Sequence, residues 1–253
     1  MSSPKMSRIA PVVGTPYLFL PQASALVVAD LHIGIEAALH LEGVHLPSST
    51  KKKVEDAIKA GKRCGAETLY LLGDVKHTVA GFSPGELKEV LYALERFTEE
   101  FDRVYIIPGN HDGGLSDVTL NLDIVYLKAQ GVLVGGVTLL HGHAMPHPDI
   151  LGNLIVVGHD HPRVLLRDSL GISTTKRCWM KAPLKGELSG KKLVIMPPAE
   201  RHSGQIVNEH PPQLLNIFFR RGLMDIKKAE IFLLDGTYLG YLHQLVPRRS
   251  GDR

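Results

Sequence analysis

Ala25-Leu26-Val27-Val28-Ala29-Asp30-Leu31-His32 sets five apolar residues directly before an acid and a histidine. A short unbroken apolar run of this kind predicts a strand buried on both faces. Two further runs end the same way: Thr68-Leu69-Tyr70-Leu71-Leu72 runs into Gly73-Asp74, and Arg103-Val104-Tyr105-Ile106-Ile107 into Pro108-Gly109-Asn110. Between the first two, residues 48 to 62 predict a helix. Ser48, Ser49 or Thr50 can cap it, Val54, Ala57, Ile58 and Gly61 share one face, and Lys51, Lys52, Lys53, Lys59 and Lys62 form a solvated face. Between the second and third, Ser83 as N-cap, Pro84 at the first position and Glu86 at the third predict a capping box, with Leu87, Val90, Leu91, Leu94 and Phe97 as the buried stripe. Strand-helix-strand-helix-strand order implies a parallel sheet covered by helices. The ligand crevice of such a sheet lies at the carboxyl ends of its strands, where these polar residues fall.

Beyond residue 120 the pattern changes. Short apolar runs at 124–127, 132–134, 137–140, 154–158, 163–166, 193–196, 214–218, 230–234 and 237–242 are separated by turn residues, which predicts a second, mixed or antiparallel sheet. No repeat or linker divides the chain, so residues 1–247 are expected to form one domain, followed by a disordered basic tail at 248–253.

Hydrophobic content of 44% and charged content of 22% are those of an ordinary globular protein and exclude a disordered or fibrous class. A net charge of +3 suits a polyanionic substrate without demonstrating one. Cys64 and Cys178 are far apart and read as small apolar residues in a reducing compartment. The N-terminus lacks the apolar run of a signal peptide, and no apolar stretch approaches the roughly 20 residues that span a bilayer. A cytoplasmic protein is expected. Gly186 to Lys192 has one residue too few between its glycines, and no Ser or Thr after the lysine, for a phosphate-binding loop.

Five polar clusters each end a predicted strand: Asp30-Leu31-His32, Gly73-Asp74-Val75-Lys76-His77, Gly109-Asn110-His111-Asp112, His141-Gly142-His143 and Gly158-His159-Asp160-His161. Imidazole and carboxylate suit manganese, iron, zinc and related metals, and an amide oxygen suits a harder cation. If Asp30-x-His32 and His159-x-His161 are extended, each pair points to one side. The glycines leave the backbone unobstructed where the chain turns into the site.

The ordered series D-x-H, G-D-x-x-H, G-N-H-D, H-G-H and G-H-x-H over residues 30 to 161 resembles the calcineurin-like metallophosphoesterase superfamily. Within it the chain is similar to the small archaeal phosphoesterases related to the SbcD nuclease and to bacterial metallophosphoesterases associated with DNA ligases and helicases. The resemblance implies an α/β fold, a four-layer α/β/β/α sandwich of two mixed sheets flanked by helices. It implies two divalent metal ions, manganese first, with iron, zinc or nickel fitting the same donors. One would take Asp30, His32 and His161, the other Asn110, His141 and His159, with Asp74 bridging them. His111 would face the scissile phosphate, and Asp112 would orient it unless it is only a turn or capping residue. His143 would hold a ligand by a hydrogen bond or line the cleft. His77, where many relatives carry Asp or Asn, matches the SbcD type and implies a contact with nucleic-acid phosphate. Lys76 would add a second contact or be an exposed strand-end lysine.

After residue 161 the resemblance is sparse. Pro197-Pro198-Ala199 followed by Gly204 to Asn208 resembles a segment of the ligase-associated relatives, where Arg177, Arg201 and His202 could line the groove. Little chain remains for the added DNA-binding cap and ATPase site of the large nucleases. The resulting expectation is a phosphodiesterase acting on DNA or RNA, with helicase or ligase partners and a dimer as open possibilities. A phosphodiesterase or phosphatase for small esters such as cyclic nucleotides is the second reading. A silent scaffold is the third, and the presence of His111 with all seven donors argues against it.

Overall fold

The computed structural model describes residues 9–209 and 213–246, so the expected tail at 248–253 lies outside the described residues. The first sheet takes β1 (Ala10–Pro11), β2 (Leu18–Leu20), β3 (Ala25–Val28), β4 (Thr68–Leu72), β5 (Arg103–Ile107) and β6 (Ile124–Tyr126) in chain order. β3 to β6 are parallel, and β1 and β2 are added antiparallel at one edge. The run at 124–127 therefore closes the first sheet rather than opening the second. The crossover before it carries only the short helix α4 (Leu115–Val118), too brief to signal another β-α-β unit.

The second sheet holds β7 (Val132–Val134), β8 (Val137–Leu139), β9 (Leu154–Val157), β10 (Pro162–Arg167), β11 (Ser173–Pro183), β12 (Lys192–Ile195) and β13 (Gln205–Ile206), ordered β13-β10-β11-β12-β9-β8-β7. β14 (Glu230–Leu233) also pairs with β11, and β15 (Tyr238–Tyr241) pairs with β14. β11 is the long strand that joins β10, β12 and β14, and its polar first half hides it in the sequence. The run at 214–218 is not a strand. Asn216 accepts from the Phe219 N–H at 2.9 Å and caps α5 (Ile217–Arg220).

Strand alternation separates three cores. Leu26, Val28, Leu69, Leu71, Val104 and Ile106 face α2 (Thr50–Cys64) and α3 (Glu86–Glu100). Ala25, Val27, Tyr70, Leu72 and Ile107 face Val137, Leu139, Val156, Trp179 and Val194 of the second sheet. The outer face of that sheet, Ile155, Val157, Met180 and Ile195, is covered by Phe218 of α5 and Leu242 of α6 (Leu242–Leu245). The result is the expected α/β architecture of two mixed sheets flanked by helices, with long helices on one side and single turns on the other.

Both long helices depart in detail from expectation. α2 begins at Thr50. Ser49, its N-cap residue, makes no side-chain cap bond because its hydroxyl goes to Glu36. Val54, Ala57, Ile58 and Gly61 are buried, but so is Lys53, whose Nζ lies 3.4 Å from Glu36 on α1 (Ile35–Leu41). A lysine on the apolar face is tolerated only because that carboxylate is buried with it. α3 starts at Glu86 with Gly85, at φ +83°, as its N-cap instead of Ser83. Half of the capping box survives, since Glu86 Oε2 accepts from the Ser83 N–H at 2.7 Å. Leu87 faces solvent, while Val90, Leu94 and Phe97 are buried.

Candidate metal centre

The seven donor residues leave the carboxyl ends of strands from both sheets and converge at one edge. Asp30 and His32 follow β3, Asp74 follows β4, Asn110 follows β5, His141 follows β8, and His159 and His161 join β9 to β10. They do not do so as extended chain. Asp30, His32, Asp74, His159 and His161 have φ between +42° and +72°, and only Ser24 among the other described non-glycine residues has positive φ. Such residues cost about 1 kcal/mol or more each and persist where the surroundings fix them. Here the fixing bonds are backbone ones: His32 N to Asp74 O at 2.9 Å, Ile33 N to Val75 O at 2.9 Å, and Glu200 N to Asp30 O at 3.0 Å. The convergence of each D-x-H or H-x-H pair therefore comes from left-handed turns, not from strand alternation. The glycines do serve close approach. A Cβ at Gly109 would sit 2.1 Å from Asp74 Oδ1, and one at Gly73 would sit 2.4 Å from His141 Nδ1.

Two trios of donors result, each with ligand atoms within 4.8 Å of one another: Asp30, His32 and His161, and Asp74, His141 and His159. Asp74 Oδ2 lies 3.5 Å from His32 Nε2 and 3.3 Å from His141 Nε2, so one oxygen faces both trios. Asn110 Oδ1 is 3.3 Å from His141 Nε2 and adds a neutral oxygen to the second trio. His141 Nδ1 donates to Leu72 O at 3.0 Å, which leaves Nε2 for the cleft. His161 Nδ1 donates to Ser203 Oγ at 3.0 Å, and Ser203 Oγ donates to Glu200 Oε2 at 2.6 Å.

Burial would raise the Asp74 carboxyl, but the His141 hydrogen bond and charge hold it well below the usual range. Asp30 is likewise lowered by His161 against its burial. His32 is pushed down to about 3, and His159 to about 4, by burial first and by His161 or His141 next. His141 and His161 are raised, because their carboxylate partners outweigh the cost of burial. The two carboxylates thus favour the charged form of His141 and His161, whose protons a bound cation would displace, while His32 and His159 are held neutral.

Around the trios, His111 Nδ1 donates to the His77 carbonyl, and its Nε2 reaches to 4.0 Å from Asp74 Oδ2 on the open side. Asp112 does not orient His111. Its buried carboxylate accepts from the Val75, Lys76 and Gly109 N–H groups and so locks the β4 and β5 exits together. Its pKa is raised, since burial exceeds the relief from the Gly109 N–H. His77 Nδ1 sits 3.3 Å from His32 Nδ1, with its ring stacked 5.8 Å from His111. His143 makes no hydrogen bond to a donor residue. Its buried Nδ1 has no partner among the described residues, and its ring lies 5.3 Å from that of His141. Lys76 is neither exposed nor in the cleft; its Nζ donates to the Thr78 and Val79 carbonyls over the Phe82 ring.

A cleft of about 260 Å³ is lined by His32, Asp74, Asn110, His111, His159 and His161, closed on one side by Gly204, Gln205 and Leu215. Arg177, Arg201 and His202 do not line it. Arg177 braces the Pro198 and Ala199 carbonyls, Arg201 pairs with Asp56 at 3.0 Å, and His202 lies 3.9 Å from Glu36. Two supports escaped the sequence reading. One is the Glu200–Ser203 pair behind His161. The other is Asp160, which accepts from Leu215 N, Asn216 N and Asn216 Nδ2 and is raised to about 6 by burial.

The family model for calcineurin-like phosphoesterases matches residues 23–180, which hold every donor of both trios. The chain belongs to that family. Members are metal-dependent hydrolases that bind two divalent metals, and the two trios flanking Asp74 supply the nitrogen and oxygen donors such a pair needs. Among solved structures, this phosphoesterase is similar to the nuclease MPE of Pseudomonas putida, with 23% identity and a TM-score of 0.58 over 87% of this chain and 89% of that one. It is also similar to the phosphoesterase Yfce of E. coli, with 16% identity and a TM-score of 0.42 over 85% and 96%. A search of curated proteins returns no match. No helix among the described residues is long and apolar enough to cross a membrane.

Proposed function

We propose that this calcineurin-like phosphoesterase is a two-metal phosphodiesterase that cleaves a polynucleotide, related to the SbcD-type nucleases. Asp30, His32 and His161 would hold one cation, Asn110, His141 and His159 the other, and Asp74 both. Cations held there, manganese in the first instance, would supply a nucleophilic water and neutralise the phosphoryl oxygens. The chain's own residues do the rest. His111 donates from Nδ1 to the His77 carbonyl, which fixes its ring with Nε2 toward the open cleft, where it can give a proton to the leaving oxygen. His77, half-buried beside it, offers Nε2 to a flanking phosphate. Its pKa is lowered by burial and by His111.

The observation that carries this reading is the convergence of six donor residues around Asp74, with His111 on the solvent side. The test is incubation of the purified protein with manganese and linear DNA, closed circular DNA, RNA, a simple diester and a simple monoester. Cleavage of polynucleotide and simple diester is expected. His111→Ala should lower kcat by about 10² to 10⁴ with both metals still bound. Turnover of the simple monoester alone would replace this reading with that of a small-molecule phosphoesterase.

A further inference from the structure

Apart from the metal cleft, a concentration of basic charge lies across the segment that closes it. Two adjoining cavities of about 320 and 360 Å³ share Gly14, Arg177 and Arg201. Their walls present Lys59, Arg63, Arg163, Lys176, Arg177 and Arg201 against two carboxylates, Asp56 and Asp235. Most of this charge is unmatched. Arg63 donates to Val13 O, Arg177 to Pro198 O and Ala199 O, and Arg163 to Arg201 O, Ser203 O and Thr175 Oγ1, all neutral acceptors. Asp56 is shared between Arg201 at 3.0 Å and Lys52 at 3.3 Å. Burial first, and then the neighbouring Arg201 and Arg163, bring Arg177 down to about 10.

The groove is tied to the reaction site by one stretch of chain. Arg163 grips the carbonyls of Arg201 and Ser203, Ser203 Oγ receives His161, and the next two residues, Gly204 and Gln205, line the metal cleft. A single phosphoester needs none of this. Guanidinium and ammonium groups along a groove suit a chain of phosphates, and arginines hold phosphate by paired N–H donors.

We infer that this groove binds the phosphate backbone of the substrate strand on one side of the scissile bond. It rests on the polynucleotide reading of the metal site but can be tested apart from it, because backbone contacts need no catalytic metal. Binding of a fluorescein-labelled single-stranded oligonucleotide is followed by anisotropy in EDTA, over a series of salt concentrations. The Lys59→Ala/Arg63→Ala protein, altered at two exposed positions of α2, is compared with wild type. Lys227→Ala/Lys228→Ala removes the same charge from exposed positions outside the groove. The groove variant should bind at least about tenfold more weakly at low salt, and its log–log salt slope should lose about 1.4, at about 0.7 per phosphate contact. The control variant should stay within about twofold of wild type. Lys176→Ala, on β11 in the second cavity, should weaken binding alone, which guards against a local defect of α2.

Equal losses in groove and control variants would overturn the inference, as would inorganic phosphate competing as well as oligonucleotide at equal phosphate concentration. Groove-dependent binding without metal-dependent cleavage would uphold the groove and overturn the nuclease reading. Cleavage that ignores the groove variants would do the reverse.

Discussion

His161 is held at the cleft by a hydroxyl and a carboxylate that belong to neither trio. Glu200 is fully buried and takes the His202 and Ser203 N–H groups as well as the Ser203 hydroxyl. Burial would raise its pKa, but those hydrogen bonds lower it, so it stays ionised and keeps Ser203 Oγ turned to accept from His161 Nδ1. Ser203→Ala removes the acceptor and frees the imidazole to rotate or change tautomer. The expected result is a 10- to 100-fold weaker binding of one of two metals with thermal stability nearly kept, measured by calorimetric titration with manganese. Unchanged affinity at both sites would dismiss the relay. His161 was legible because Gly-His-x-His ends a strand, whereas Glu200 and Ser203 carry no such spacing. They meet the site only because the exit from β12 hydrogen-bonds across Ala29 and Asp30. Asp112 shows the converse: its place beside His111 in sequence suggested an imidazole partner, but three backbone amides claim it first.

At the scale of elements, the loop from β4 to α3 is held by one residue of that helix. Glu86 Oε1 accepts from His77 N at 2.9 Å and Thr78 N at 2.8 Å, while Oε2 accepts from Ser83 N at 2.7 Å. Lys76 caps the Thr78 and Val79 carbonyls from below. The loop that carries His77, and through its carbonyl steadies His111, thus hangs on a carboxylate. Burial raises the Glu86 pKa, but the Thr78 and Ser83 amides lower it further, so it ends below its ordinary 4.5. A depressed carboxyl contributes its full stability above the unfolded pKa and loses it as pH falls through the folded one. Glu86→Gln should cost about 1–3 kcal/mol at neutral pH and flatten the loss of stability below about pH 4.5. Urea titrations across that range check both, and a variant with the acid limb of wild type would rule the anchor out. Ser83-Pro84-Gly85-Glu86 did signal a helix start, since one half of the capping box forms. The other half was lost to Gly85, whose positive φ takes the cap position.

For the molecule as a whole, the β3-β4-β5 half was legible because each strand is apolar on both faces and each crossover helix has a clear stripe. The second sheet was legible only as a texture. Its central strand β11 opens with Ser173, Thr174, Thr175, Lys176 and Arg177, which hide a strand whose later half lies in the core. Trp179, on that later half, is the chain's one tryptophan and sits 4% exposed between the sheets, among Val27, Leu72 and Met196. Its Nε1 is buried without an acceptor among the described residues. An unpaired buried donor costs about 1–3 kcal/mol, so the indole stabilises the interface through its area alone. Trp179→Ala should then lose about 3–5 kcal/mol through the cavity it leaves. Trp179→Phe forfeits part of the packing but removes the unpaired N–H, so its cost should stay within about 1.5 kcal/mol. A loss for Trp179→Phe well above about 1.5 kcal/mol in urea denaturation would mean that the N–H is satisfied in solution. In the wild type the same indole reports on sheet–sheet contact, while far-UV circular dichroism reports on both sheets. Coincident transitions are expected if the shared core makes them one cooperative unit. Fluorescence changing at lower urea than dichroism would instead show the sheets parting before either melts, and with them the two trios that meet at Asp74.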